Sequence, residues 1–498
     1  MEHTDAAQIA ALVGALGAVL ALVPRGRFFT VVGLAMLGVA TGMLGISLVG
    51  TDDVRLLVHE PAGVAALALG ALAVCLGAVP LARYPAVTPV VLLAAAPFRV
   101  PVRLGDEDAF LLVPFYVVLA ATVIALAVRM WRGEHPPAPP FLLALPIAAF
   151  ITFASTSFLW TWDERAGGIA LAFFVFPFAA GLGVVARAPI AAWLPRVLLY
   201  TLVVLGALFA TIGLWQAQTR TLFFAPSLEV ANAYTTFFRV TSLFKDPSLY
   251  GRYLVIPIVV LMVVLLARTN RRIDWLLLVA AIAFLFAGLF FSYSQSSFVA
   301  LFVVTAALAF LAGDRRFRIV LVVCAVAATL AAGAFAATSI EGRSARDVTS
   351  GRSRLVSITV DAFKLRPAVG VGIGGQPQAS ADANGRRTPK RSASHTTPLT
   401  VLAELGVVGF TLYLWALAAI GWALARVVRV DRLFGLGLAA VFLVIFVHSL
   451  LYAGFFEDPL TWGVVGLAAA VLAASPEPAP AKEPASDAAP AAPELLAH

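Results

Sequence analysis

Apolar residues run through this chain in long stretches, broken by short polar segments that carry arginines or acids. A helix crosses the hydrocarbon of a bilayer with about 20 such residues. The pattern predicts spans at roughly 8–24, 28–50, 61–82, 86–99, 109–129, 141–160, 167–186 and 193–216. Further spans are predicted at roughly 251–267, 273–291, 295–312, 317–338, 399–424, 434–452 and 459–474, about 14–15 in all. The stretch 86–99 is the shortest and contains Pro89 and Pro97. The chain divides accordingly into a first block of spans at 1–216, a basic segment at 217–250, a second block at 251–338, a long loop at 339–398, a last block at 399–474, and a tail at 475–498. The tail is Pro, Ala and acids, a composition that cannot bury a core and is expected to be disordered.

Composition narrows the class. Of 498 residues, 61% are hydrophobic and 12% charged, and the mean hydropathy is +0.94. An ordinary soluble domain is about half apolar and about a quarter charged. This excludes a soluble enzyme, a disordered chain and a nucleic-acid-binding module, and leaves an all-α polytopic membrane protein. Cys75 and Cys324 both sit in apolar runs, which offers no disulfide or zinc framework. The first residues lack the basic stretch of a signal peptide, so the first apolar run is expected to persist as a helix.

The net charge is +8, from 35 Lys+Arg against 27 Asp+Glu. In a membrane protein the question is on which side those charges lie. Alternate short loops hold Arg25/Arg27, Arg83, Arg129/Arg132, Arg187/Arg196, Arg268/Arg271/Arg272, Arg315/Arg316/Arg318 and Arg426/Arg429/Arg432. The intervening loops hold Asp52, Asp53, Glu60, Asp106, Glu107, Asp108, Asp163 and Glu164. By the positive-inside rule the N-terminus is outside and the C-terminus cytoplasmic, and 86–99 must cross to keep the alternation. Two outside segments break the trend. Residues 217–250 carry Arg220, Arg239 and Lys245, with Arg252 just beyond, and 339–398 carries ten bases. Long loops translocate whatever their charge, so the orientation survives; an anionic ligand at the outer face is the simplest reason for bases there.

Within the long loop, Arg352 to Leu365 has apolar residues at helical spacing over a length too short to span, and Pro367 ends it. The spacing predicts an amphipathic helix with Arg352 and Arg354 in its first turn. Free N–H groups and guanidiniums at one helix end suit a phosphate; contacts with lipid headgroups or an acidic loop would use the same residues. The run Val369-Gly370-Val371-Gly372-Ile373-Gly374-Gly375 matches a dinucleotide fingerprint by letter only, since no strand-to-helix unit surrounds it. A tight turn or close backbone approach is the sounder reading. His395 precedes the next apolar run and suits either a general base or a helix cap. His448 suits a packed, hydrogen-bonded place in the bundle. Asp106-Glu107-Asp108 suits a divalent cation or a solvated loop, and Glu457-Asp458, ahead of Pro459, could orient a base or a sugar hydroxyl.

Three stretches carry a resemblance. Arg239-Val-Thr-Ser-Leu-Phe244-Lys245-Asp246-Pro247 is similar to the R-x-x-G-x-F-x-[ND]-P segment of the O-antigen ligase and O-antigen polymerase superfamily. Ser350-Gly351-Arg352, then Arg366-Pro367 to Gly370-Val-Gly372, resembles its GR … P-x-x-G-x-G. Ser394-His395-Thr396, followed by Ala403-Glu404-Leu405-Gly406-Val-Val-Gly409, looks like its H-N-x-x-L … E-x-G-x-x-G. The resemblance covers roughly 200–460. Thr396 stands where the family has Asn, and Tyr293-Ser294-Gln295 lacks the Arg of the family's T-x-S-R. The resemblance implies a GT-C-like glycosyltransferase that uses no metal and no cofactor. Its donor would be a glycan on a polyprenyl diphosphate; its acceptor would be a hydroxyl of a glycan or lipid-linked glycan, at the outer face of the cytoplasmic membrane. It implies Arg239 and Arg352 at the diphosphate, His395 as base or acceptor-positioning group, and Glu404 orienting the histidine. Arg354 and Lys245 would add charge there, with Asp246, Gly370, Gly372 and Glu457 supporting the loops. The partners are then these two glycans and membrane lipids, with no nucleic acid. A transporter or flippase for an anionic lipid-linked sugar would also use outside bases, but transporters concentrate charge at the midplane and carry internal repeats, neither of which this chain displays.

Overall fold

The computed structural model describes residues 4–49, 59–104, 107–234, 237–267, 272–312, 315, 319, 352–384, 394, 396–452 and 454–475. His395, the expected span 317–338 apart from Ile319, and nearly all of the tail lie outside them.

The described residues form an all-α bundle. The first block is α1 (Thr4–Leu22), α2 (Arg27–Val49), α3 (Pro61–Arg83), α4 (Thr88–Ala95), α5 (Val113–Trp131) and α6 (Phe141–Thr156), then α7 (Glu164–Val185, with a π turn at Leu171–Val175) and α8 (Leu194–Thr219). A short α9 (Pro226–Ala233) leads into α10 (Pro247–Leu266), α11 (Arg272–Phe290) and α12 (Gln295–Ala312). The long loop contributes α13 (Arg352–Leu365) and α14 (Gln376–Asn384). The chain closes with α15 (Thr397–Val430), α16 (Arg432–Ser449) and α17 (Pro459–Ala474). Among the described residues eleven helices are long and apolar enough to cross a membrane, and Pro85–Ala95, Asp274–Phe290 and Pro459–Ala474 are shorter apolar ones. All-helical spanning follows from the solvent: lipid offers no partner for a backbone N–H or C=O, so each must be satisfied within its own segment.

The stretch 86–99 departs from a full span. It is a 3-10 turn at Pro85–Val87 and the eight-residue α4. At 1.5 Å per residue the helical part covers about half of the hydrocarbon. Pro97 cannot continue it, and the chain passes instead into a hairpin of β1 (Val100–Leu104) and β2 (Glu107–Leu111), paired antiparallel from Val100↔Leu111 to Leu104↔Glu107. Short-range pairing between two five-residue strands leaves little periodic signal, which is why the helical pattern alone misses it.

Several helix starts are written into the sequence as an acid before a proline or apolar run. Asp246 caps α10 by accepting from Ser248 N, with Pro247 at the first helical position; Asp458 caps α17 through Leu460 N, with Pro459 likewise; Asp431 caps α16 through Phe434 N. A side-chain acceptor satisfies an orphan N–H, and proline loses nothing there. The caps of α10 and α17 fall at the end of the bundle expected to face outside, called here the upper end. At the lower end, buried Arg187 donates to Gly183 O and to Thr30 Oγ1, tying α7 to α2.

Candidate functional site

A polar cluster is buried at the upper end, between the starts of α10, α12 and α17 and the end of α16. Arg252, fully buried, donates from Nη1 to Asp458 Oδ2 at 2.7 Å and to Gly454 O at 2.9 Å. Its Nη2 and Nε lie 2.9 and 3.3 Å from His448 Nδ1. Arginine has no acceptor, so Nδ1 must receive, and the ring proton sits on Nε2. Nε2 faces Ser296 Oγ at 3.1 Å and Ser297 Oγ at 3.3 Å, and Ser294 Oγ joins both serines. Four helix ends are thereby locked to one cation whose charge is met by Asp458.

The serine turn between α11 and α12 connects this cluster to Arg239. The Arg239 Nε donates to Ser292 O at 3.3 Å, and its backbone is bracketed by Asn232, which accepts from Arg239 N and donates to Arg239 O. The following turn is unusual. Ser242 has φ +52, in the left-handed region that glycine occupies at no steric cost, and it stands where the resembled motif has Gly. Buried Gln216, at the end of α8, holds the turn by accepting from Thr241 N and Ser242 N and donating to Ser242 O. Tyr293, at φ +47, packs its ring 4.7 Å from Phe237. Lys245 is exposed and lies over the Phe110 ring at 5.0 Å.

The glycine run forms a strap against a break in α15. Gly406 has φ +63 and interrupts the helix. The N–H groups freed beyond it are taken by the strap: Val407 N donates to Pro367 O and Val408 N to Ala368 O, while Val371 N donates to Ala403 O and Gly372 N to Glu404 O. Gly370 (φ +72) lies so close that a Cβ would sit 2.2 Å from the Glu404 carbonyl, and one at Gly406 would meet the Ala368 carbonyl at 2.4 Å. Gly372, at φ +88, presses equally on Thr161. The close backbone approach expected of this run is therefore what the fold contains.

Glu404 and Glu457 share the same region. The Glu404 carboxyl accepts the backbone N–H of Gly374 and Gln376, so it secures the strap to the start of α14, and its charge is felt alongside that of Glu457. Glu457 presents an exposed surface although protein surrounds it on most sides, as in a recess; desolvation raises its carboxyl above the ordinary range. Tyr452, on the same connection, donates to Asp246, and desolvation pushes its phenol up.

Of the residues singled out from the sequence, the described ones gather at the upper end, with Arg239, Lys245, Asp246, Gly370, Gly372, Glu404 and Glu457 built into the contacts above. Arg352 opens α13 as the spacing predicts, and Arg354 is half-buried in its first turn. His395 lies outside the described residues. Its neighbour Ser394 is buried, and Thr396 Oγ1 donates to Leu450 O at 3.3 Å, two residues from His448. Gln216 was not singled out; Arg252, Asp458, Ser294 and His448 were each noted from the sequence, and His448 is packed and hydrogen-bonded as expected, but their meeting in one cluster was not foreseen. An Arg at a helix head and an Asp-Pro cap are visible in sequence, but nothing local says that they meet. Among the described residues no group of three or more His, Cys, Asp or Glu side chains converges to hold a metal.

Residues 257–414 match the family model described as O-Antigen ligase. That segment runs from the middle of α10 into α15 and includes the serine turn, α13, the glycine strap and Glu404. No curated protein matches the chain.

Proposed function

We propose that this multi-pass membrane protein, whose residues 257–414 match the O-antigen ligase model, transfers a glycan from a polyprenyl diphosphate carrier to a sugar hydroxyl at the outer face of the cytoplasmic membrane. The match supports a role in cell-surface polysaccharide assembly. The observation that carries the finer reading is the gathering of fixed cations and carboxyls at one end of an otherwise apolar bundle. There Arg239 is anchored on the Ser292 carbonyl, and the charges of Arg252 and Arg99 act on Glu457, which in turn acts on Glu404.

The reaction would run as a displacement at the anomeric carbon. The acceptor oxygen forms its bond there as the bond to the diphosphate oxygen breaks, and the diphosphate departs with the electron pair. Negative charge grows on that leaving group in the transition state. Arginines aimed at it stabilise the charge without a metal; Arg239, Arg352, Arg354 and Lys245 are assigned that part. The proton released by the acceptor hydroxyl goes to His395 as base. Glu404 holds the strap and α14 in position, while Asp246, Gly370, Gly372 and Glu457 keep the surrounding connections in register.

The test is transfer in proteoliposomes from a polyprenyl diphosphate glycan to a glycan acceptor. Arg352→Ala and His395→Ala should each abolish product while leaving insertion and expression intact. Full activity in His395→Ala would overturn the base assignment. Movement of the donor across the bilayer without any product would favour a transporter instead. The orientation is tested by a cysteine at exposed Ala383 of α14, with Cys75 and Cys324 replaced by serine. Labelling from outside in intact cells is expected.

A further inference from the structure

His448 is fully buried in the last turn of α16, beyond the family-matched segment. Its two ring nitrogens face different halves of the buried cluster. Nδ1 receives Arg252, while Nε2 reaches the serine turn at Ser296 and Ser297. The turn passes this contact on. Ser294 Oγ joins Ser296 and Ser297 at 3.2 and 2.9 Å, Ser294 N donates to Ser292 Oγ at 3.2 Å, and Ser292 Oγ donates to Leu289 O at 2.7 Å. Two carbonyls of the same turn hold the Arg239 segment. Ser292 O accepts from Arg239 Nε at 3.3 Å, and Phe291 O accepts from Val240 N at 3.1 Å. A hydrogen-bonded path therefore runs from the Arg252–Asp458 pair to the side chain of Arg239.

Stability alone does not account for this path. A buried ion pair is often matched by apolar side chains of similar volume. What apolar side chains cannot supply is direction: Nδ1 must accept from Arg252, so the ring proton sits on Nε2 and is donated to the turn. The turn needs such a hold. Tyr293, in its middle, has φ +47, a conformation that persists for a bulky residue only when its surroundings fix it. We infer that His448 is a positioning residue: kept in one tautomer by Arg252, it fixes the serine turn and, through that turn, aims the Arg239 guanidinium at the donor diphosphate. This rests on the function proposed above and adds what sets the cation in place. A misplacement of about 1 Å, caused far from the reacting atoms, can cost on the order of a hundredfold in rate.

Two substitutions separate positioning from packing. His448→Asn keeps an acceptor where Nδ1 meets Arg252 but does not reach the serines. His448→Gln keeps a donor toward the serines and leaves Arg252 short of an acceptor, which in a buried site is the costlier loss. The asparagine variant should therefore be the more stable of the two and the less active. Its kcat should fall about a hundredfold with donor KM little changed, because charge on the diphosphate grows in the transition state. Arg239→Ala combined with His448→Asn should be no slower than Arg239→Ala alone, since the histidine acts through that arginine. Additive losses, or activity that follows the order of unfolding, would overturn the inference. Titration calorimetry of the full chain in nanodiscs with inorganic diphosphate, a stand-in for the departed leaving group, runs the same cycle without a glycan. His448→Asn should weaken that binding only while Arg239 is present. Coupled diphosphate binding in a parent that transfers nothing would sink the proposed reaction and keep the positioning role. Transfer with additive losses would sink the positioning role alone, and a parent that neither binds diphosphate nor transfers would overturn both.

Discussion

Asp458→Asn isolates one charge in the buried cluster with almost no change in shape. Asp458 is 2% exposed and Arg252 not at all, so solvent does not screen the pair. With roughly 4 Å between charge centres and an effective dielectric of about 20, their attraction is about 4 kcal/mol. Removing one partner of a buried pair costs about 3–5 kcal/mol by experience. Asparagine keeps an oxygen that can still accept from Arg252 and from Leu460 N, recovering on the order of 1 kcal/mol. The expected loss is therefore about 2–4 kcal/mol, and Asp458→Ala should lose about a further 1 kcal/mol with the helix cap. The assay is reversible unfolding in mixed micelles of increasing denaturing detergent. Arg252→Met with Asp458→Leu removes both charges and should return stability to within about 1–2 kcal/mol of the parent, because an apolar pair avoids the desolvation cost. An Asp458→Asn protein within about 0.5 kcal/mol of the parent would refute the reasoning. So would a double variant no better than the single one.

Gly406→Ala forces a side chain into the Ala368 carbonyl at a left-handed φ; it should cost more than 1 kcal/mol and abolish transfer, measured by unfolding and by product formation. Glu457→Gln tests the raised carboxyl. Because its folded pKa lies above the unfolded one, its contribution to stability is present at low pH and lost as pH rises through the folded value, so the neutral glutamine should unfold later than the parent at pH 7 and equally at acid pH; a later-unfolding parent at pH 7 would reverse the sign. Chelation with EDTA should leave transfer unchanged, since no metal-holding group of acids and histidines converges among the described residues, and a loss restored by one divalent cation would contradict that.

The helical architecture was legible because it is dictated by solvent: a run such as 251–267 allows little except a spanning helix, and α10 occupies Pro247–Leu266. The amphipathic reading of Arg352 to Leu365 coincides with α13, since a 3.6-residue period and a terminating proline are local facts. What stayed hidden was pairing across the bundle. Arg252 and His448 are 196 residues apart, and neither carries a local mark of the other. The Gly406 break was hidden for the same reason: a glycine in an apolar run is ordinary, and only the Pro367 and Ala368 carbonyls explain why the helix stops there. Sorting the charges along the chain had grouped Arg239, Lys245 and Glu457 on one side, and the fold holds them at one end of the bundle.

The strap and the broken helix also amount to a closed neck. Four backbone hydrogen bonds join 367–372 to 403–408, so the segment 373–402 begins and ends at one fixed point. A change of length between Asn384 and Ser394 would be absorbed at small entropic cost without shifting Glu404 or the helix beyond it. That makes this part of the segment exchangeable. Replacing the part after α14 with one of different length and charge should alter which acceptor glycan is admitted, while the donor-facing side of the site stays as it was.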